Sequence, residues 1–233
     1  METLIIHLLN SLLYASVLFL IAGGLSLIYG VMGIVNLAHG NLYALGAYAT
    51  AWAVGRMFGS VPDVALFVFL PAGALVAGAA GAILEPTLLR PFYKRAEEYQ
   101  LLVTFGLLLI LDDVMRFLWG PYPLSASALY ESFGSFPIFD SIYPTYNLLV
   151  IAFVVAAAAF LWAFVYKTKF GVILRATSQD KRMASALGVN VNKVYIQAFT
   201  IGCAMAGLAG AIIVPSQGAV LGMGVDALIL AFV

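Results

Sequence analysis

Long apolar runs separated by short polar breaks dominate this chain, and their lengths are those of bilayer-spanning helices. An α-helix rises about 1.5 Å per residue, so about 20 predominantly apolar residues cross a hydrocarbon core. Runs of this kind cover Leu4–Tyr29, Leu42–Phe58, Val64–Leu84, Leu101–Trp119, Tyr146–Tyr166 and Val194–Val214. A seventh begins near Ala227 and is cut off at Val233. The pattern predicts an all-α fold, a polytopic bundle of transmembrane helices forming a single domain over residues 1–233. Small residues recur at every fourth position in two runs, Gly73-Ala77-Gly81 and Gly202-Ala206-Gly210. That spacing lets helix backbones approach closely, so both rows predict helix-to-helix packing.

Two segments interrupt the runs differently. Residues 30–41 (GVMGIVNLAHGN) are apolar except for Asn36, His39 and Asn41. The second segment starts at Pro215-Ser216-Gln217-Gly218 and runs to Gly222, Gly224 and Asp226. Both are Gly-punctuated and nearly uncharged, an odd makeup for a loop in water. Each fits a tight interfacial turn. Each also fits unwound backbone at membrane depth, which survives only where protein or a water-filled cavity satisfies its polar groups.

Charge orients the spans. Six of the eleven Lys and Arg residues lie in a loop over residues 167–193, and Arg90, Lys94 and Arg95 mark another basic loop. Residues 120–145 carry Glu131 and Asp140 but no Lys or Arg. The basic loops are therefore predicted cytoplasmic, with residues 120–145 and the N-terminus outside and Arg56 as an exception. The 167–193 loop has a design of its own. Thr177 and Asp180 read as a capping box for a short helix over 177–187, with Gly188 as its stop. Asp180, Met183, Ala184 and Leu187 then share one face, and Lys181, Arg182 and Ser185 the other. From the residues alone, an ordinary basic loop and an amphipathic docking helix stay equally open. Asp112, Asp113 and Arg116 have the spacing of a local ion pair near a span end.

Composition narrows the function classes. The chain is 64% hydrophobic and 9% charged, with mean hydropathy +1.04 and zero net charge, which places it in the membrane and gives no reason to expect nucleic acid. Cys203 is the single cysteine, and His7 and His39 are the only histidines, so neither a disulfide, a metal site nor a cofactor is expected. There is no G-x-x-x-x-G-K-[ST], H-E-x-x-H or G-x-S-x-G, which argues against an enzyme and against a nucleotide-binding loop of the chain's own. The first run lacks a basic leader and exceeds a signal-peptide core, so it reads as a retained span.

The stretch GLSLIYGVMGIVNLAHGNLYALGAY (24–48) resembles the signature of LivH-type permeases, the membrane subunits of branched-chain amino acid ABC importers. EPTLLRPFYKR (85–95) resembles the family's basic stretch after the third span, and RATSQDKRMASALGVNVNKV (175–194) its ATPase-coupling loop. The resemblance extends over nearly the whole chain. It implies an inner-membrane permease for branched-chain or related amino acids, surrounded by membrane lipid. The implied partners are two cytoplasmic ATPase subunits, a second homologous permease (or a second copy) and an extracytoplasmic substrate-binding protein. It also implies that Arg175, Ala176, Asp180, Met183, Ala184, Leu187 and Gly188 couple to the ATPase. Asn36, His39, Gly40, Asn41 and Gln217 would belong to the substrate pathway. Many relatives carry Glu where this chain has Asn41, and relatives continue past position 233, so the domain reads as truncated. The alternatives are a permease of the same family for urea or short amides, and an ion-coupled secondary transporter or channel.

Overall fold

The computed structural model describes residues 2–60, 67–138 and 141–232. Val64 at the start of the third predicted span, Asp140 and Val233 lie outside the described residues. The helices are α1 (Glu2–Met32), α2 (His39–Met57), α3 (Leu70–Leu84), α4 (Glu97–Trp119), α5 (Ser127–Glu131), α6 (Thr145–Lys167), α7 (Lys169–Gln179), α8 (Lys181–Ala186), α9 (Val191–Gln217) and α10 (Met223–Phe232). Strands β1 (Ser135–Ile138) and β2 (Ser141–Pro144) form an antiparallel hairpin in which Ser135 lies opposite Pro144. Each predicted apolar run contains a helix, so the all-α bundle stands. Among the described residues, four helical stretches are long and apolar enough to cross a membrane: Thr3–Met32, Phe67–Phe92, Thr145–Lys167 and Val191–Gln217. The helix α4 carries Asp112, Asp113 and Arg116, α2 is richer in small and polar side chains, and α10 is short.

The central helix is α9. Its most apolar window is 72% buried, against 11% for α6, which lies at the periphery. It packs against α1, α2 and α3, and glycine makes those contacts close. A Cβ on Gly81 would press on the Cys203 side chain, and one on Gly202 would press on Ile28 and the Gly24 carbonyl. A Cβ on Gly210 would overlap the Tyr43 carbonyl. Both small-residue rows therefore serve as backbone contact faces, as their spacing predicts.

At the end of the bundle that carries the basic residues, α3 widens into a π-turn (Glu85–Leu89) and then a 3₁₀ turn (Arg90–Phe92). These turns bring two polar side chains onto one buried carboxylate. Glu85 is fully buried; Arg90 Nη2 donates to it at 2.7 Å, and the Tyr93 hydroxyl donates at 2.5 Å. Tyr93 meets Tyr195 of α9 edge-on, which ties this turn to the central helix. Burial raises the Tyr93 hydroxyl above its usual range, and the bond to Glu85 raises it further, so it stays a donor. Tyr93→Phe should lower stability by about 2 kcal/mol, the scale of a hydrogen bond to a charged group. Thermal unfolding in detergent would read this, and an unchanged midpoint would refute it.

The predicted ion pair on α4 does not form. The single ion pair among the described residues is Arg90–Glu85. On α4, Asp112 turns partly inward with one buried oxygen, whereas Asp113 and Arg116 are exposed. Exposed pairs at helical spacing contribute little, so nothing holds these side chains together.

Candidate functional site

The first interruption is a re-entrant stretch that folds back against the body of α1. The helix α1 ends at Met32, and Gly33 takes the left-handed conformation at φ +69°. The backbone through Asn36 is then non-helical, and a turn at 37–38 leads into α2 at His39. His39 Nε2 lies 3.1 Å from the Ile21 carbonyl, in the body of α1 rather than at its end. At 1.5 Å per residue that level is about 16 Å back along α1. The chain therefore reaches the basic end, turns, and climbs back before starting α2. Asn36, His39, Gly40 and Asn41 are all fully buried.

The polar residues of this stretch serve first as clamps. Asn36 Oδ1 accepts from the Ala38 amide at 3.1 Å and fixes the turn into α2. Asn41 Nδ2 donates to the Leu108 carbonyl of α4 at 2.5 Å, and the Thr104 hydroxyl donates to the Val35 carbonyl at 3.4 Å. Thus α1 and α4 hold the stretch from two sides. Asn36 Nδ2, His39 Nδ1, Asn41 Oδ1, Tyr48 Oη and Thr50 Oγ1 are buried and have no hydrogen-bond partner among the described residues.

The second interruption is of the other kind. Gly218 (φ +74°) and Gly222 (φ +86°) frame a turn at the end opposite the basic residues. There Ala219 exchanges backbone hydrogen bonds with Leu124, so this segment is tied to the 120–145 connection. The two interruptions still meet, because a Cβ on Gly40 would overlap the Gly224 carbonyl and α2 and α10 start side by side. Gln217 does not join the buried group. It is exposed at the end of α9 and lines a cleft with Tyr14, Tyr43, Met223, Asp226 and Leu230.

The 167–193 loop holds two helices rather than one. Thr168 starts α7 by accepting from the Gly171 amide at 3.0 Å. The helix α7 then buries Gly171, Leu174 and Thr177 against the bundle. The predicted capping box at Thr177 is therefore incorrect, because Thr177 sits inside α7 and its hydroxyl donates to the Ile173 carbonyl at 2.8 Å. Asp180 alone caps α8, accepting from the Arg182 and Met183 amides at 2.8 and 2.9 Å. Gly188 ends the short helix region at φ +87°, as expected of a stop residue.

Of the predicted face, Met183 (59%) and Leu187 (78%) are exposed, while Ala184 is buried and holds α8 to the bundle. Arg175 stacks over the Tyr166 ring at 4.8 Å, and Ala176 is exposed. Sequence reasoning missed Ser178, whose hydroxyl donates to the Gly30 carbonyl at 2.5 Å. That bond joins α7 to the end of α1 just before the re-entrant stretch. Nothing in the local sequence marks it, since its partner is a backbone carbonyl 148 positions away.

The family model described as "Branched-chain amino acid transport system / permease component" matches residues 7–233. The chain is 26% identical over 211 residues to the high-affinity branched-chain amino acid transport system permease protein LivH of Salmonella typhimurium, covering 88% of this chain and 68% of that one. It is 28% identical over 216 residues to BraD of Pseudomonas aeruginosa, a protein of the same description (89% and 69% covered). It is also 28% identical over 221 residues to a probable branched-chain amino acid transport permease protein LivH of Methanocaldococcus jannaschii (90% and 68% covered). No solved structure matches. With a family model that matches nearly its full length, the chain belongs to the family of permease components of branched-chain amino acid transport systems.

Proposed function

We propose that this chain is the membrane-spanning permease subunit of an ATP-binding-cassette importer that carries branched-chain or related amino acids across the cytoplasmic membrane. The observation that carries the reading is the α7–α8 pair, which presents Met183 and Leu187 outward beside Lys181 and Arg182. Two exposed apolar side chains on a short, firmly capped helix suit docking to a partner subunit. The positive-inside rule supports a cytoplasmic position for this loop, where two ATPase subunits would meet it. A second permease, homologous or identical, would complete the pathway, and a substrate-binding protein would deliver cargo at the opposite face. The multi-pass arrangement in an inner membrane follows from the same reading.

Under this reading ATPase closure moves α8 and α7, and the Ser178–Gly30 bond passes that motion to the re-entrant stretch between α1 and α2. Ser178→Ala should therefore lower uptake several-fold while the complex still assembles and hydrolyses ATP. Unchanged uptake per ATP hydrolysed would remove Ser178 from this route. The function itself is tested by leucine uptake in proteoliposomes holding the chain with its ATPases, companion permease and binding protein. Uptake should stop when ATP is withdrawn and survive a protonophore. Uptake that ignores ATP but collapses with the protonophore would favour an ion-coupled transporter.

A further inference from the structure

We infer that the cleft between α1, α2, α9 and α10 is a binding site for a zwitterionic aliphatic α-amino acid, with Asp226 taking the ammonium group. The inference rests on the permease reading above and goes further by naming the site and the part of the solute each group meets. The cleft encloses about 190 Å³. That is smaller than drug-sized pockets of roughly 300–1,000 Å³ and suits a small metabolite.

The lining has two kinds of surface. Val17, Leu18, Ile21, Ile213, Ala227 and Leu230 form an aliphatic wall. Against it stand Asp226, Gln217, Tyr14 and Tyr43. None of these four polar side chains makes a hydrogen bond within the described residues, and none has an ion-pair partner there. By contrast, the cleft lined by Phe67, Phe133, Tyr146, Leu149 and Phe153 is apolar almost throughout and fits lipid tails.

Asp226 decides the polarity of the cargo. It lies in the first turn of an apolar helix, and a carboxylate in a membrane-embedded helix is costly unless it faces a partner or a polar cavity. Met223, Asp226, Ala227 and Leu230 share one helical stripe, and all four line the cleft. Asp226 thus lies on the stripe of α10 that lines the cleft, and it is exposed there and open to a solute. It suits an ammonium group, the Tyr14 and Tyr43 hydroxyls can donate to a carboxylate, and the aliphatic wall takes a branched side chain. The Gln217 amide can serve either charged group. Urea offers neither charge to such a set.

The test uses the assembled transporter in proteoliposomes and two readouts. Cys203, the native cysteine, is fully buried, so a Gln217→Cys variant can be labelled selectively with a membrane-impermeant maleimide. Leucine should slow that labelling, whereas 4-methylpentanoate, which lacks the ammonium group, should not. In leucine uptake, Asp226→Asn should raise the half-saturating concentration by about tenfold, the scale of one charge-assisted hydrogen bond. Subunit co-purification should stay unchanged, which shows that the variant still folds and assembles. If the wild type imports leucine but Asp226→Asn imports it equally well, or both solutes protect alike, this site is wrong and the permease reading stands. If the wild type imports no amino acid at all, the permease reading fails first.

Discussion

Gly46→Val should leave no stably folded bundle. A Cβ at this position would overlap the backbone of Gly207. On its other flank Gly73 approaches the Gly46 carbonyl and the Thr50 hydroxyl, and Gly207 in turn packs on Ala77 and Gly73. Three helices, α2, α3 and α9, therefore meet backbone to backbone around one point, and none can retreat without losing the other two. Overpacking a rigid core costs roughly 1–3 kcal/mol, and at the high end or beyond where the obstruction is backbone, which cannot change rotamer. Size-exclusion profiles and thermal melts in detergent should show aggregation in place of a monodisperse peak. Gly55→Val on the same helix meets nothing within 4 Å and should change stability by about 0.5 kcal/mol or less. A Gly46→Val protein that melts like Gly55→Val would refute the three-helix contact.

The second large effect is expected at α8. Met183→Glu combined with Leu187→Glu should abolish uptake while leaving the isolated permease as stable as the wild type. Both side chains are exposed, so the folded chain loses no core contact, whereas a docked partner would face two carboxylates in an apolar seam. A buried anchor at an interface contributes about 2 kcal/mol or more, which is about a thirtyfold loss of ATPase affinity for a single anchor. Co-purification measures that loss directly, and an ATPase that stays bound to the doubly charged variant counts against a coupling role. Ala184→Glu separates the two roles of the helix. Because Ala184 is buried, its substitution should destabilise the permease itself.

The helices were legible because burial in lipid writes itself as length and apolarity, and the small-residue rows of α3 and α9 announced a close packing that the structure contains. Their boundaries ran short, since polar residues such as Glu97 and Lys167 continue the helices past the apolar core of each run. Nothing local to Thr177 told against a cap. Its membership in α7 follows from Thr168 having already opened a helix that packs through Gly171 and Leu174. In the same way, the segments 30–41 and 215–226 have the same makeup in the sequence, one that fits a tight turn as well as a break. Their different outcomes depend on Ile21, Val35 and Leu108 in one case and on Leu124 in the other, all of which lie outside the segments themselves. Asp226 could be seen in the chain, but its direction required the stripe with Met223 and Leu230.

The re-entrant stretch also sets an order of events during biosynthesis. The chain emerges N-terminus first, at about 5–20 residues per second. When Asn36, His39 and Asn41 have been made, Ile21 is already present, but Leu108 follows 67 residues later and Gly224 later still. For roughly 3–13 seconds the stretch lacks its α4 clamp, and for longer it lacks its α10 neighbour. A nascent permease arrested before α4 thus holds buried-type amides with no acceptor in reach. Such an intermediate would stay near water, at the membrane surface or in the insertion machinery. The α1–α2 region, though translated before α4 and α10, would then settle only after them.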